Sequence, residues 1–263
     1  MLVDVHAHLN HPRYEDVEKV IERCRKNKVI VVNNGLNPST NRSCLELARK
    51  HPEVIKAALG VYPIDGLNIQ DPEKFGIERD MEKVDIDAEI EFIKKNKKDV
   101  SAIGEVGIDY KFVKDKNKEQ AENLMKFVEL AEKLKVPIIV HSRGAEKDVI
   151  DLLETSKSKK IIMHFFSGSM KLVKRIEDNG WFISIPCAID RSQQYQMIAE
   201  RLNINQIFTE TDSPYAPPAG EEINEPSFVK NSIKVIAKIK KMNEEEVEKN
   251  IFMNFQKTFL KDS

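Results

Sequence analysis

NKEQAENLMKFVELAEKLKVPIIVH, residues 117–141, passes from apolar and charged residues at helical spacing to a continuous apolar run. The first part predicts an amphipathic helix and the second a strand buried on both faces. Such strands belong to parallel sheets covered by helices. Runs of the same character recur at LVDVH (2–6), VIVVNNG (29–35), VIKAALG (54–60), SAIGEVG (101–107), KIIMHFF (160–166), WFISIP (181–186) and QIFTETD (206–212). Helical stretches such as YEDVEKVIERCRKNK (14–28) lie between them. Eight strands alternating with helices predict an α/β fold of the (β/α)₈ TIM-barrel type. The one irregular interval, 61–100, reads as an enlarged βα connection: loop residues YPIDGLNIQDPEKFG, then a charged helix in DIDAEIEFIKKNKK. The C-terminal segment from NEP (224–226) onward reads as two helices closing the barrel. No low-complexity linker or internal repeat divides the chain, so residues 1–263 are expected to form one domain.

Composition limits the partners. A net charge of −1 provides no global basic field for gathering nucleic acid, which leaves only local patches. The 32% of charged residues, rich in Lys and Glu, describes solvated helix faces. Cys24, Cys44 and Cys187 are odd in number and far apart, and they lack metal-site spacing, so they read as reduced, buried thiols. With neither a membrane-spanning apolar run nor a signal-peptide pattern in the sequence, a cytoplasmic location is expected, and no membrane or protein partner is implied.

The chemistry-bearing residues fall on one end of this frame. In VDVHAHLN (3–10), His6 and His8 are two apart and so share a strand face. His141 and His164 lie at or near the ends of their runs, as do Glu105 and Asp212. Active sites of such barrels sit at the C-terminal strand ends. Imidazoles mixed with carboxylates suit one or two divalent ions of the Zn, Mn or Mg kind, and a shared carboxylate can hold two ions about 3.5–4 Å apart. Asp212 is expected both to ligate and to accept the proton of the attacking water.

These motifs resemble the TatD-related metal-dependent hydrolases of the amidohydrolase superfamily. The resemblance rests on VDVHAHL (3–9), IGEVGIDY (103–110), VPIIVHSR (136–143), HFFSGS (164–169), ETDSPY (210–215), NEP (224–226) and NF (254–255), in that order. It implies a TIM-like barrel and a site for one or two divalent metals carried by His6, His8, Glu105, His141, His164 and Asp212, with Glu105 and Asp212 in the catalytic role. By that resemblance Glu105 bridges the ions, His6, His8 and Asp212 complete one shell, and His141 and His164 complete the other. The family's activities imply a phosphodiester substrate in DNA or a related nucleic acid, cleaved in the manner of a 3'–5' exonuclease. Alternatives are deacylation of D-aminoacyl-tRNA, hydrolysis of a small cyclic amide or lactone, and a metal- or nucleic-acid-binding module without turnover.

The chain departs from the family's usual pattern near the substrate. GVYP stands where G-x-H-P is common, placing Tyr62 in the histidine's position, and PPAGEEINEP (217–226) lacks the arginine or lysine often found before NEP. Arg143 and Tyr62 are the expected substrate contacts, Arg143 as a clamp for an anionic group or as the partner in a loop-fixing salt bridge. Tyr215 is expected to stack on a base or to cap the barrel mouth. Asp4 is expected to support the ligands or to be a buried polar partner, and Asp109 to serve in a turn or orient a loop. Trp181 belongs to the expected core. His11 and His51 fall outside the strand-end pattern and are left out of the expected site.

Overall fold

The computed structural model describes residues 1–69, 71–75, 78–79 and 81–260. Eight strands form one sheet in the order β1 to β8: Leu2–Ala7, Val29–Asn34, Ile55–Leu59, Val100–Gly107, Ile138–His141, Ile161–Met163, Phe182–Pro186 and Ile207–Glu210. Every neighbouring pair is parallel. The last strand returns to the first. Asp212 N donates to His6 O at 2.8 Å, His8 N donates to Ser213 O at 2.8 Å, and Ala7 bridges Ser213. The fold is therefore the TIM-type barrel expected from the alternation of elements.

The strands form because their residues suit burial on both faces. β1, β2 and β8 are buried along their whole length, and the barrel's apolar residues continue into the inner faces of the surrounding helices. Helix Asn117–Leu134 turns Leu124, Phe127, Val128, Leu130 and Ala131 inward. The enlarged connection contains turns at Pro63–Gly66 and Pro72–Phe75 before helix Ile86–Lys95. Helices Val229–Lys240 and Glu244–Phe259 cover the closing side of the barrel. Trp181 is buried, as are all three cysteines, which are free.

One run ends sooner than its apolar content predicts. The expected strand 160–166 stops at Met163, where the backbone turns, with Phe165 at φ 45° and its N–H donating to Glu210 Oε1 at 2.9 Å. Irregular pairing also accompanies the future site. The β1–β2 register shifts between Asp4 and Ala7, and the β4–β5 register shifts between Ile103 and Val106. Glu105 N donates instead to Gly35 O at 3.0 Å. Shifts of this kind re-aim side chains at the rim.

Gly107 closes β4 at φ +156°, and a Cβ placed on it would lie 1.9 Å from the His141 carbonyl oxygen. Backbone has no rotamer with which to yield. Gly107→Ala is thus expected to cost about 2–3 kcal/mol and to lower the melting temperature by roughly 5–10 °C. Thermal unfolding followed by circular dichroism measures this, and an unchanged melting temperature would refute the close approach.

Candidate metal centre

The seam between β1 and β8 brings the first residues together. His6 ends its side chain inside the barrel and His8 follows just beyond Ala7, on the same face. Their Nε2 atoms are 3.2 Å apart. Asp212 sits past the end of β8 in the left-handed conformation at φ 57°, which an aspartate tolerates. Its Oδ1 is 3.6 Å from His6 Nε2 and 3.4 Å from His8 Nε2. Glu105 enters from β4 and occupies the middle. Its Oε2 faces His6 Nε2 at 3.3 Å and His8 Nε2 at 3.6 Å, while its Oε1 faces His141 Nδ1 at 2.9 Å and His164 Nε2 at 3.8 Å.

All six expected residues thus meet at one point. The structure groups their donor atoms as His6, His8 and Glu105, as Glu105, His141 and His164, and as His6, His164 and Asp212, with the atoms of each group within 4.8 Å of one another. The third group joins His164 to the side expected to hold only His6, His8 and Asp212. The His6 and His164 rings are stacked at 3.5 Å between centroids, so His164 faces both halves.

The outward nitrogens of three histidines are held by acceptors. His8 Nδ1 lies 3.0 Å from Asn34 O, His141 Nε2 lies 3.0 Å from Asp109 Oδ2, and His164 Nδ1 lies 2.7 Å from Glu210 Oε2. A carbonyl or carboxylate oxygen can only accept, so each outward nitrogen carries a proton, and the inward nitrogen is the one that can present a lone pair to a cation that displaces its proton. Lone pairs converging with two carboxylates are the donor set of a divalent cation. His6 differs: its Nδ1 is buried without a hydrogen-bond partner among the described residues.

Electrostatics point the same way. Burial pushes the His6 pKa down to about 3, and the nearby His164 adds to this. Burial also opposes charge on His164 and His141. For His164 the charge and hydrogen bond of Glu210 outweigh it and push the pKa up to about 10. For His141 the hydrogen bonds to Asp109 and Glu105 do the same, to about 9. Glu105 is held well below the carboxylate range: burial would raise it, but His6, His141 and His164 prevail. The centre therefore attracts positive charge in a place where burial disfavours it, and the residues fit a metal.

Several outer residues were only partly legible. Asp109 is more than a turn residue: its Oδ1 accepts from Lys111 N at 2.8 Å and Phe112 N at 3.0 Å, while its Oδ2 supports His141. Tyr62 Oη donates to the same Oδ2 at 3.0 Å, so its hydroxyl is tied to the cluster through Asp109. Asp4 accepts from His6 N at 3.1 Å and Thr211 N at 3.0 Å, tying the seam. Glu210 was missed, although it stands two residues before Asp212, the same spacing as His6 and His8. Its Oε2 also accepts from Ser184 Oγ at 2.7 Å. His51 pairs with Glu18 at 3.2 Å away from the rim. His11, set aside in the sequence, packs at the rim against Tyr215.

A cavity of about 470 Å³ opens over the centre. Phe75, Phe112, Phe165 and Tyr215 line it, together with Arg79, Arg143 and Glu146. Arg79 forms an ion pair with buried Asp65 at 2.5 Å. Arg143 is exposed, stacks over Phe112 at 5.1 Å, and pairs with no carboxylate among the described residues. The salt bridge considered for it is not formed there. Of the two carboxylates at the floor, Asp212 is the more open, at 21% against 4% for Glu105.

A parallel eight-stranded barrel with histidines and carboxylates on its C-terminal rim defines a hydrolase of the metal-dependent barrel class. The chain belongs to the TatD-related DNase family, whose model matches residues 3–260. It is 38% identical over 260 residues to a metal-dependent hydrolase of Methanocaldococcus jannaschii, covering 98% of this chain and 96% of that one. It is 32% identical over 266 residues to the human deoxyribonuclease TATDN3, covering 99% and 95%. Among solved structures, the Escherichia coli TatD homologue YJJV shares the fold with a TM-score of 0.82 at 21% identity, covering 99% of this chain and 98% of that one. No helix among the described residues is long and apolar enough to cross a membrane.

Proposed function

We propose that His6, His8, Glu105, His141, His164 and Asp212 hold one or two divalent ions and that the protein hydrolyses phosphodiesters at a DNA end, as a 3'–5' exonuclease does. The observation that carries the metal reading is Glu105, whose two carboxylate oxygens each face a different pair of histidines. A carboxylate so placed is suited to two ions as well as one. Zinc, manganese or magnesium bound there would lower the pKa of water toward neutrality and offset charge on a phosphoryl oxygen.

The chain's own groups supply the remaining roles. Asp212 reaches the cavity and, kept ionised by its hydrogen bond with His8 against the effect of burial, accepts the water's proton. Arg143, without a carboxylate partner among the described residues, binds a phosphate oxygen. Tyr62 orients His141 through Asp109 and adds its ring to the substrate wall. The name of the human relative favours DNA as the substrate. A net charge of −1 and a small closed-floored cavity favour a chain terminus over a long duplex track.

The charge of the wall favours a second reading, hydrolysis of a lactone or a small cyclic amide, with the ester of a D-aminoacyl-tRNA as a further candidate. Glu146 lines the cavity and Asp65 neutralises Arg79, so the wall is poor in available positive charge. The test is metal-reconstituted protein assayed against linear and circular single-stranded DNA, aminoacyl-tRNA and a lactone. Linear DNA is expected to shorten from its 3' end while the circle is spared. Equal cleavage of both would defeat the exonuclease reading, and turnover of the aminoacyl ester or lactone alone would establish the second.

A further inference from the structure

The loop after β1 carries a hydrogen-bonded pair beside the centre. Arg13 N donates to His11 Nδ1 at 3.1 Å, and His11 Nε2 lies 2.8 Å from Tyr215 Oη. A backbone N–H can only donate, so His11 Nδ1 must hold a lone pair, and the neutral ring carries its single proton on Nε2. Nε2–H then donates to the phenol oxygen, and the phenol's own hydrogen must point elsewhere.

Tyr215 lines the cavity, and its hydroxyl makes no other hydrogen bond among the described residues. Its ring is fixed on two sides. The Arg13 guanidinium lies 5.3 Å from the ring centroid and is held by Glu78 at 2.5 Å, and the ring meets His8 nearly edge-on at 6.2 Å. Rotation about the C–O bond is the freedom that remains, and the proton on His11 Nε2 removes it.

We propose that Tyr215 is a fixed O–H donor toward an oxygen of the substrate's scissile group, and that His11 is the positioning residue that sets the direction of that hydroxyl. Taking this oxygen to be phosphoryl rests on the phosphodiester reading above. A donor aimed at an oxygen that gains negative charge binds more tightly as the reaction proceeds, so it acts mainly on kcat. It also selects for an acceptor oxygen: an amine or hydroxyl presented there would set donor against donor.

The test uses metal-loaded protein. Nitrogen-15 NMR of labelled histidine is expected to show His11 with a bare Nδ1 and a protonated Nε2, its signals assigned by their loss in His11→Gln. With bis(p-nitrophenyl) phosphate as probe, Tyr215→Phe is expected to lower kcat by about 10²-fold with little change in KM. His11→Leu should lower it comparably, and the double variant no further than Tyr215→Phe alone, because both act through one hydroxyl. His11→Gln places an amide donor at the ε position and should recover most of the rate. A bare Nε2, multiplicative losses in the double variant, or a normal rate in Tyr215→Phe would each overturn the proposal. If unmodified protein leaves the diester intact, the phosphodiester reading fails, and the nitrogen shifts alone decide the donor assignment.

Discussion

Asp212→Asn is expected to keep the fold and part of the metal affinity while reducing hydrolysis by about 10²–10⁴-fold, the usual contribution of a positioned proton acceptor. The geometry separates the two effects. Asparagine retains an oxygen where Oδ1 now lies 3.4–3.6 Å from the His8 and His6 nitrogens, so a ligand atom survives. The amide cannot take a proton at neutral pH. The backbone constraint survives too, since asparagine also tolerates the left-handed conformation and Asp212 N still donates to His6 O. Metal analysis together with initial rates on the best substrate measures both quantities. A normal rate would remove Asp212 from the role of base. A lost rate with lost metal would show it to be chiefly a ligand.

Much of this centre could be read from the chain because a doubly buried strand writes itself as a continuous apolar run, and a polar residue at its end then stands out. LVDVH, SAIGEVG and VPIIVH each show that pattern, and each delivers one of the six clustered residues. What the sequence concealed follows other rules. His11 reaches the rim because the loop after β1 folds tightly, with His11 N donating to His8 O and Tyr14 N to His11 O. Such a turn leaves no periodicity. Arg79 and Phe75 belong to the enlarged connection between β3 and β4, where chain position says nothing about which wall a side chain joins. Glu210 could have been found by the two-residue spacing that exposed His6 and His8. Its position inside a run read as apolar strand masked it, yet it holds His164 and cuts the sixth strand short at Met163. Asp109 needed the tertiary fold, since its partners Tyr62 and His141 come from the ends of β3 and β5.

Glu105→Gln is expected to have the broader consequence, lowering both the amount of metal held and the rate, the latter by about 10³-fold. The substitution is nearly isosteric, so packing in this buried position changes little; the altered quantity is charge. Glu105 faces all four histidines, two on each carboxylate oxygen. An amide offers one acceptor oxygen, and its NH₂ group presents hydrogens to the histidine pair on its other side. One half of the centre therefore loses its shared anion and acquires a competing donor, whichever way the amide turns. Loss of several kcal/mol of charge stabilisation corresponds to about 10³ in rate, since each 1.36 kcal/mol is a factor of ten. The contrast with Asp212→Asn is diagnostic. Asp212 belongs to one of the three donor groups and Glu105 to two, so metal content should fall further in Glu105→Gln than in Asp212→Asn. Elemental analysis of the two variants side by side, with circular dichroism to confirm that both are folded, makes the comparison. Equal metal content with a normal rate in Glu105→Gln would show that the shared carboxylate is not the centre of the site.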